Sequence, residues 1–305
     1  MRFAFYSEHL AAEEPVSVDG IVPGGGLHLT HWKGNRTPAA LKADSSTGIA
    51  LRFVSSPDRD EMARGAEVAS NNHFDADGAL SAWTVLAGER AAESAELLVA
   101  AAEAGDFSAH PGREGLKVAL AIQADDGSSP LAGQLAGRPV EDDEEAYRLV
   151  LPVLGDLLAE PDRFEPLWRD ALADIDAVME SFAAGRSQVE ENGPVSSIRL
   201  AAGAGEAASR YAISAHARGR IYLIASEAND GWRFRIEWPY WSWAETVDRP
   251  LVQRIDLEPL AVRLRGLDPS GLWRLEQSEL SPGLRGERSQ LQPGRLAAEL
   301  KAALG

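Results

Sequence analysis

Apolar and polar residues follow two regimes along this chain, and the change comes near residue 188. In the first regime, "LHLTHW" (27–32) sets Leu27, Leu29 and His31 against His28, Thr30 and Trp32. That is the period of a short strand after a glycine turn, and "GNRTP" then breaks it. The letters from Pro38 to Val54 favour a helix, with Leu41, Ile49, Leu51 and Phe53 among its apolar positions. "AEVASNNHF" (66–74) reads as a second strand, and "GALSAWTVLAGE" (78–89) as a helix opened by Asp77 or Gly78. Ala91 to Ala104 is helical by propensity, Gly105 to Gly115 a loop, and "LKVALAIQA" (116–124) an apolar run. An acidic connection punctuated by Gly and Pro (125–145) leads to two helices, 144–160 and 164–185, the second with an apolar stripe at helical spacing.

Past residue 188 short β segments dominate: "VSSIRLAA" (195–202), "SRYAISAHA" (209–217), "GRIYLIASE" (219–227) and "WRFRIEWPYWSW" (232–243). Turn residues separate them, which predicts a meander of antiparallel strands. In the last of these, Trp232, Phe234, Ile236 and Trp238 alternate with Arg233, Arg235 and Glu237, as a half-buried strand requires. A helix over 256–267, one further strand over Gly271–Gln277 and a closing helix over 294–305 complete the chain. The expected architecture is an α/β domain with a mostly parallel sheet over 1–188. A smaller β-rich α+β domain follows over 189–305.

Composition narrows the function classes. The chain has 305 residues and an ordinary apolar share of 45%, with 47 acidic residues against 30 basic ones, a formal charge of -17. Long nucleic acid is a poor partner for such a surface, because its binding rests on Lys and Arg displacing counterions. The absence of cysteine removes disulfides, thiolate nucleophiles and cysteine-held metals. Any metal must sit on His, Asp and Glu, which favours Mn²⁺, Mg²⁺ or a His/carboxylate zinc or iron site. No stretch is long and apolar enough to span a membrane and no apolar leader opens the chain, so the expected location is cytoplasmic. The oligomeric state has no signature here.

The densest chemistry lies in "NNHFDADGALSAW" (71–83). In an extended segment alternate side chains share one side, so His73, Asp75 and Asp77 converge as a candidate cation site. Gly78 permits the turn into a helix whose first amides suit an anion. The same letters also make a good turn and helix cap with no metal at all. Upstream, His31 lies in "HWKGNRTP" with Asn35 and Arg36, a candidate substrate contact, and His28 is expected to face the other way. Asp106 and His110 share the loop after a helix and could add ligands. Lys42 and Asp44 read as a solvated helix face.

"HFDADGALSA" resembles the first motif of the DHH phosphoesterase superfamily, His/Asp-x-Asp-x-Asp-Gly-x-x-Ser. The resemblance implies two Mn²⁺ or Mg²⁺ ions between an N-terminal α/β domain and a smaller C-terminal one. It also implies hydrolysis of a small phosphoester, an oligonucleotide or pyrophosphate. His73, Asp75 and Asp77 would then be catalytic metal ligands, joined by Asp106 in the place of the family's lone aspartate, with His110 or His31 giving a further nitrogen. Asn72 and Ser81 would border the substrate with His31, Asn35 and Arg36. No Asp-His-His run follows and "HARGR" (216–220) is the nearest substitute for the family's glycine-rich substrate motif, so a catalytically lapsed member that binds a ligand or partner is the alternative. "THWKGNRTP", "NNHFDADG" and "AEAGDF" together also resemble a bacterial family of unknown function. "DADGAL" resembles in addition the nucleophile motif of haloacid dehalogenase-like phosphatases, which would make Asp75 the nucleophile and Asp77 the acid/base, with Asp142 and Asp143 as a late acidic pair.

Overall fold

The computed structural model describes residues 1–123, 131, 142–278 and 280–304. They form a mixed α/β structure with one parallel sheet and one separate mixed sheet. By internal contacts the chain divides into two compact units, Met1–Leu172 with Ala244–Pro250, and Ala173–Trp243 with Leu251–Gly305. A single cut near residue 188 does not describe this division, because seven residues of the later chain belong to the first unit.

The first unit is built on strands of two or three residues: β1 (Arg2–Phe3), β2 (Val16–Val18), β3 (His28–Leu29) and β4 (Val68–Ser70), in the order β1-β4-β2-β3, all parallel. β2 and β4 are fully buried, serines included, as the inner strands of a sheet covered on both faces must be. Helices α1 (Ser46–Val54), α2 (Arg59–Ala63), α3 (Ala76–Ala87), α4 (Ala95–Phe107), α5 (Arg113–Ile122), α6 (Asp143–Val150) and α7 (Leu154–Ala159) surround it. α3 lies at the centre, with nine of its twelve residues buried. Its small residues let α1 and α4 pack close against it.

Several elements depart from the expected pattern. The helix expected over Pro38–Val54 starts only at Ser46, where the Ser45 hydroxyl accepts from the Gly48 amide and caps it; before it stands a short 3-10 turn, Ala39–Leu41. As far as Ile122, the apolar run is the buried face of α5. Asp106 sits in the last turn of α4 and not in a loop, because α4 continues to Phe107 before Ser108 ends it in the left-handed conformation. The connection 125–145 lies largely outside the described residues; within it, Asp142 caps α6 by accepting from the Glu145 amide at 2.8 Å.

The division between units falls inside α8 (Glu165–Ala183). The second unit then carries a six-stranded sheet among the described residues: β5 (Gln188–Asn192), β6 (Val195–Leu200), β7 (Ile221–Ala228), β8 (Gly231–Glu237), β9 (Arg274–Glu276) and β10 (Gly283–Ser289), in the order β5-β6-β7-β8-β10-β9. It is not a meander. β6 and β7 run parallel, and a parallel pair needs a crossover, which is α9 (Glu206–His216). The segment "SRYAISAHA" is therefore helix where a strand was expected; its buried Ala208, Tyr211 and Ala212 recur at helical spacing. α9 covers one face, where its Ile213 packs with Tyr222 and Ile224 of β7, while α10 (Glu258–Leu267) and α11 (Pro293–Leu304) cover the other through Leu260, Leu264, Leu296 and Leu300. Phe234, Ile236 and Trp238 are core, as their alternation requires. Among the described residues no helix is long and apolar enough to cross a membrane.

Candidate metal centre

The parallel strands of the first unit aim their carboxyl ends at one place. Asp19 follows β2, His31 comes two residues after β3, and His73, Asp75 and Asp77 follow β4. Ligands of α/β sheets bind at these ends, where loops carry polar groups that the strands cannot. Asp19 holds φ at 60°, a left-handed conformation aspartate tolerates better than most residues. The next residue must be glycine, since a Cβ at Gly20 would collide with the side chains of Asn71 and Asn72. A second glycine brings in the last acid: a Cβ at Gly105 would stand 2.6 Å from that of Ala76, so this glycine lets α4 close on the start of α3 and carries Asp106 to the cluster.

Two groups of ligand atoms result, and they share Asp19. Asp19, His31, Asp77 and Asp106 form one; Asp19, His73 and Asp75 form the other; within each, one ligand atom per residue lies inside 4.8 Å of all the rest. His31 Nε2 is 3.1 Å from Asp106 Oδ2, 3.7 Å from Asp19 Oδ1 and 3.8 Å from Asp77 Oδ2. His73 Nε2 is 2.9 Å from Asp19 Oδ2 and 3.1 Å from Asp75 Oδ2. Asp19 thus turns one oxygen to each group. The first group is sealed, whereas the side chains of His73 and Asp75 are 28% and 25% exposed.

A layer of hydrogen bonds fixes these orientations. His31 Nδ1 faces the Asp44 carbonyl at 2.7 Å and His73 Nδ1 faces Asn72 Oδ1 at 3.1 Å. Each acceptor takes the proton on Nδ1, so the neutral form of each imidazole presents its lone pair at Nε2, turned inward, as a metal ligand needs. Asp77 accepts from the Ser46 and Thr47 amides, both at 2.7 Å, so the positive end of α1 holds it. Asp75 Oδ1 accepts from the Gly78 amide at 2.7 Å and caps α3, while Oδ2 points into the cluster. The turn and the site are thus made by the same residue. Behind them Asn71 donates to Tyr147 Oη at 2.8 Å and accepts from the Gly20 amide, and Tyr147 donates to the His73 carbonyl.

Burial and crowding shift the titrations of Asp19, His31, His73, Asp77 and Asp106. Burial depresses His31, but the Asp106 hydrogen bond and the carboxylates of Asp106, Asp77 and Asp19 outweigh it and raise it to about 10. His73 goes to about 11 in the same way, with burial opposed by Asp19 and Asp75. Burial pushes Asp77 up to about 6, against the pull of His31 and with the push of Asp19. Asp106 is driven well above the ordinary range by burial and by Asp75 and Asp77. Asp19 moves down: burial would raise it, and the two imidazoles and the Ser46 hydroxyl prevail. Four carboxylates against two imidazoles leave an excess of negative charge in a low dielectric, which is costly without added cations. The donor set, hard oxygens with two imidazole nitrogens, fits divalent cations of the Mn²⁺ or Mg²⁺ kind.

A protein-family model described as a family of unknown function (DUF6687) matches residues 1–296. The chain belongs to that family. No curated protein matches it. Neither comparison connects this DUF6687 chain to the DHH phosphoesterases, so that resemblance rests on the "HFDADGALSA" segment alone.

Of the residues singled out in the sequence, the DUF6687 fold brings His73, Asp75, Asp77, Asp106 and His31 together. His31 enters as a buried member of the carboxylate group and not as a substrate contact at its rim. His110 is half-buried and belongs to neither group. Asn72 supports His73 from outside, and the Ser81 hydroxyl is spent on the Gly78 carbonyl of its own helix at 3.0 Å. Asn35 ties its own loop to Trp32 and Glu245, and the Arg36 guanidinium donates to the Gly25 carbonyl beside His28, so both are structural where they stand. Asp44 is buried, not a solvated face: its carboxylate takes the Val247 and Asp248 amides and the Arg249 guanidinium. Asp19 had no place in the sequence reading. Its signal was "VSVDG", a short apolar strand ending in Asp-Gly, the same ending that marks "HFDADG".

Proposed function

We propose that this protein is a metal-dependent hydrolase of small phosphoesters, in the manner of the DHH-type enzymes its "HFDADG" segment resembles. The observation that carries the reading is Asp19, one carboxylate with an oxygen in each of two ligand groups, each group completed by an imidazole whose Nε2 faces inward. His31, Asp77 and Asp106 would hold one cation with Asp19, and His73 and Asp75 the other. When bound, a pair of divalent cations supplies Lewis acidity to phosphoryl oxygens and lowers the pKa of water. The chain's own part is positional. The α1 amides keep Asp77 in place, the α3 cap fixes Asp75, and the Nδ1 acceptors keep both imidazoles in the ligating tautomer. The half-exposed side, with His73, Asp75 and the Trp32 ring 5.2 Å from that of His73, is where a substrate would enter.

Small phosphoesters, short oligonucleotides and pyrophosphate suit an acidic chain whose attraction for phosphate must come from bound cations. Long nucleic acid does not. A cytoplasmic setting belongs to the same reading. The haloacid dehalogenase reading has less support, because Asp77 accepts an α1 amide on each oxygen, which favours its carboxylate form over a proton-donating role.

The test is binding followed by turnover. Mn²⁺ or Mg²⁺ at millimolar concentration should raise the melting temperature, and the loaded protein should cleave bis(p-nitrophenyl) phosphate, pyrophosphate or a dinucleotide. A melting curve indifferent to both ions removes the site. Stabilisation by Mn²⁺ with none of the three substrates cleaved makes the protein a lapsed, binding-only relative.

A further inference from the structure

The seven residues Ala244–Pro250 belong to the first unit although the chain on both sides of them belongs to the second. They lie along the loop that carries His31 and the last turn of α4, which carries Asp106. The Glu245 amide donates to the His31 carbonyl at 2.7 Å, and the Glu245 carboxylate takes Asn35 Nδ2 and Lys42 Nζ, each at 2.9 Å. The amides of Val247 and Asp248 donate to Asp44 Oδ1 at 2.6 and 2.8 Å, and it is the carbonyl of the same Asp44 that fixes His31 Nδ1.

Arg249 completes the strap. Its Nη1 meets Asp44 Oδ2 at 2.6 Å, and its Nη2 meets Glu103 Oε2, also at 2.6 Å. The guanidinium carbon lies 4.8 Å from the centroid of Phe107, whose ring centre is 5.7 Å from that of His31. Glu103 and Phe107 flank Asp106 on α4, one turn before it and one residue after. One guanidinium therefore joins the loop that orients His31 to the helix turn that presents Asp106, the two residues whose Nε2 and Oδ2 stand 3.1 Å apart in the sealed group.

We propose that Arg249 is a positioning residue for the sealed cation site: it sets the distance between His31 and Asp106 without touching either ligand atom. Its burial and bidentate contact suit this, since a planar fork holds two carboxylates at fixed separation where a lysine holds one. The inference rests on the two-cation reading above. Removing an outer support of a metal ligand weakens metal affinity by about 10- to 100-fold.

Mn²⁺ titration by calorimetry, with electron paramagnetic resonance to count bound ions, separates the two ideas. In the wild type two ions should bind. Arg249→Met should weaken one of them by about 10- to 100-fold and leave the other unchanged, and Arg249→Lys should recover only part of the loss. Glu103→Gln, which cuts one tie and spares the rest, gives a smaller shift in the same direction and serves if Arg249→Met does not fold. Arg59→Met, which breaks an exposed pair with Glu89, should leave both affinities as they are. A purely structural Arg249 would lower the melting temperature and leave Mn²⁺ affinity at the wild-type value in both Arg249→Met and Glu103→Gln; that result overturns the proposal alone. A wild type that binds no Mn²⁺ overturns the metal reading and takes this inference with it.

Discussion

Both sheets of this protein gather charged side chains on one side, and they do it in opposite ways. At the strand ends of the first sheet four aspartates and two histidines meet with side-chain exposures from 0% to 28%. On one face of the second, Arg235 stands directly opposite Arg285 in the register of β8 and β10, an unfavourable pairing in isolation. Glu206, at the start of α9, bridges them at 2.8 and 2.6 Å, and Glu276 and Glu237 add to the balance. Glu206 is 44% exposed. The second network therefore pairs each cation with a carboxylate, and its bridging Glu206 faces water, where ion pairs contribute little. The first is buried, carries an excess of one sign, and is held by donors that turn its lone pairs inward. A charge cluster that cannot balance itself, yet is carefully held, marks a place made for something brought in.

That contrast is open to breakage, and the largest effect should come from Asp19. At Mn²⁺ a hundredfold above Kd, mass action adds about 2.7 kcal/mol to wild-type stability for each ion bound, a rise on the order of 5–10 °C in melting temperature per ion for a protein of this size. Asp19→Asn, which touches both ligand groups, should abolish the rise. Next in size, His31→Gln and His73→Gln should each reduce the bound Mn²⁺ from two ions to one, read by calorimetry. Equal loss of both ions in each variant would mean that the groups are not separable sites. Asn72→Ala removes the acceptor that orients His73. It should weaken one ion by about tenfold, which is about 1.4 kcal/mol, and spare the other.

The smallest effect belongs to the second sheet. Glu206→Gln should leave Mn²⁺ binding untouched and cost at most about 1 kcal/mol of stability, because solvent screens so exposed a carboxylate. Its sign with pH is definite. The hydrogen bond from Arg285, against some burial, brings the Glu206 carboxyl down to about 2 in the folded protein, below the ordinary 4.5. A depressed carboxyl stabilises the fold fully above its unfolded value and loses that contribution as pH falls through the folded one. Chemical denaturation between about pH 4.5 and 2 should therefore narrow the gap between wild type and Glu206→Gln, and a gap that widens on acidification would refute the assignment.

How much of this could be read from the letters follows the range of each interaction. "HFDADG" was legible because three of its ligands lie within five residues and alternate as an extended segment does. Asp19 was not, because what makes it a ligand is the pairing of β2 with β4, about fifty residues away. Nor could periodicity settle strands as short as β3, which has two residues. Asp106 was picked out for its type, but its place depended on Gly105 packing against Ala76, a contact no local pattern records. "SRYAISAHA" misled for a simpler reason: Tyr211, Ala212 and Ile213 are consistent with either period, and the parallel pairing of β6 and β7 decides for helix. Asn35, Arg36 and Ser81 had suitable chemistry for a substrate and turned out to be consumed by neighbouring backbone.

The return of Ala244–Pro250 to the first unit has a consequence in time. A ribosome adds roughly 5–20 residues per second and domains tend to fold as they emerge. The aspartates and histidines of the centre have all been made by Asp106, and the first stretch of their unit ends at Leu172. Yet the strap that grips His31 and, through Arg249, the turn of Asp106 is 78 residues further on, from Leu172 to Pro250. For roughly 4–16 s after Leu172 is added, the newborn chain owns every ligand of the proposed centre and the first stretch of its unit but not the clasp that sets two of those ligands. A cation captured in that interval would meet a looser cage than one arriving later, so the order of synthesis and loading becomes part of how this protein matures.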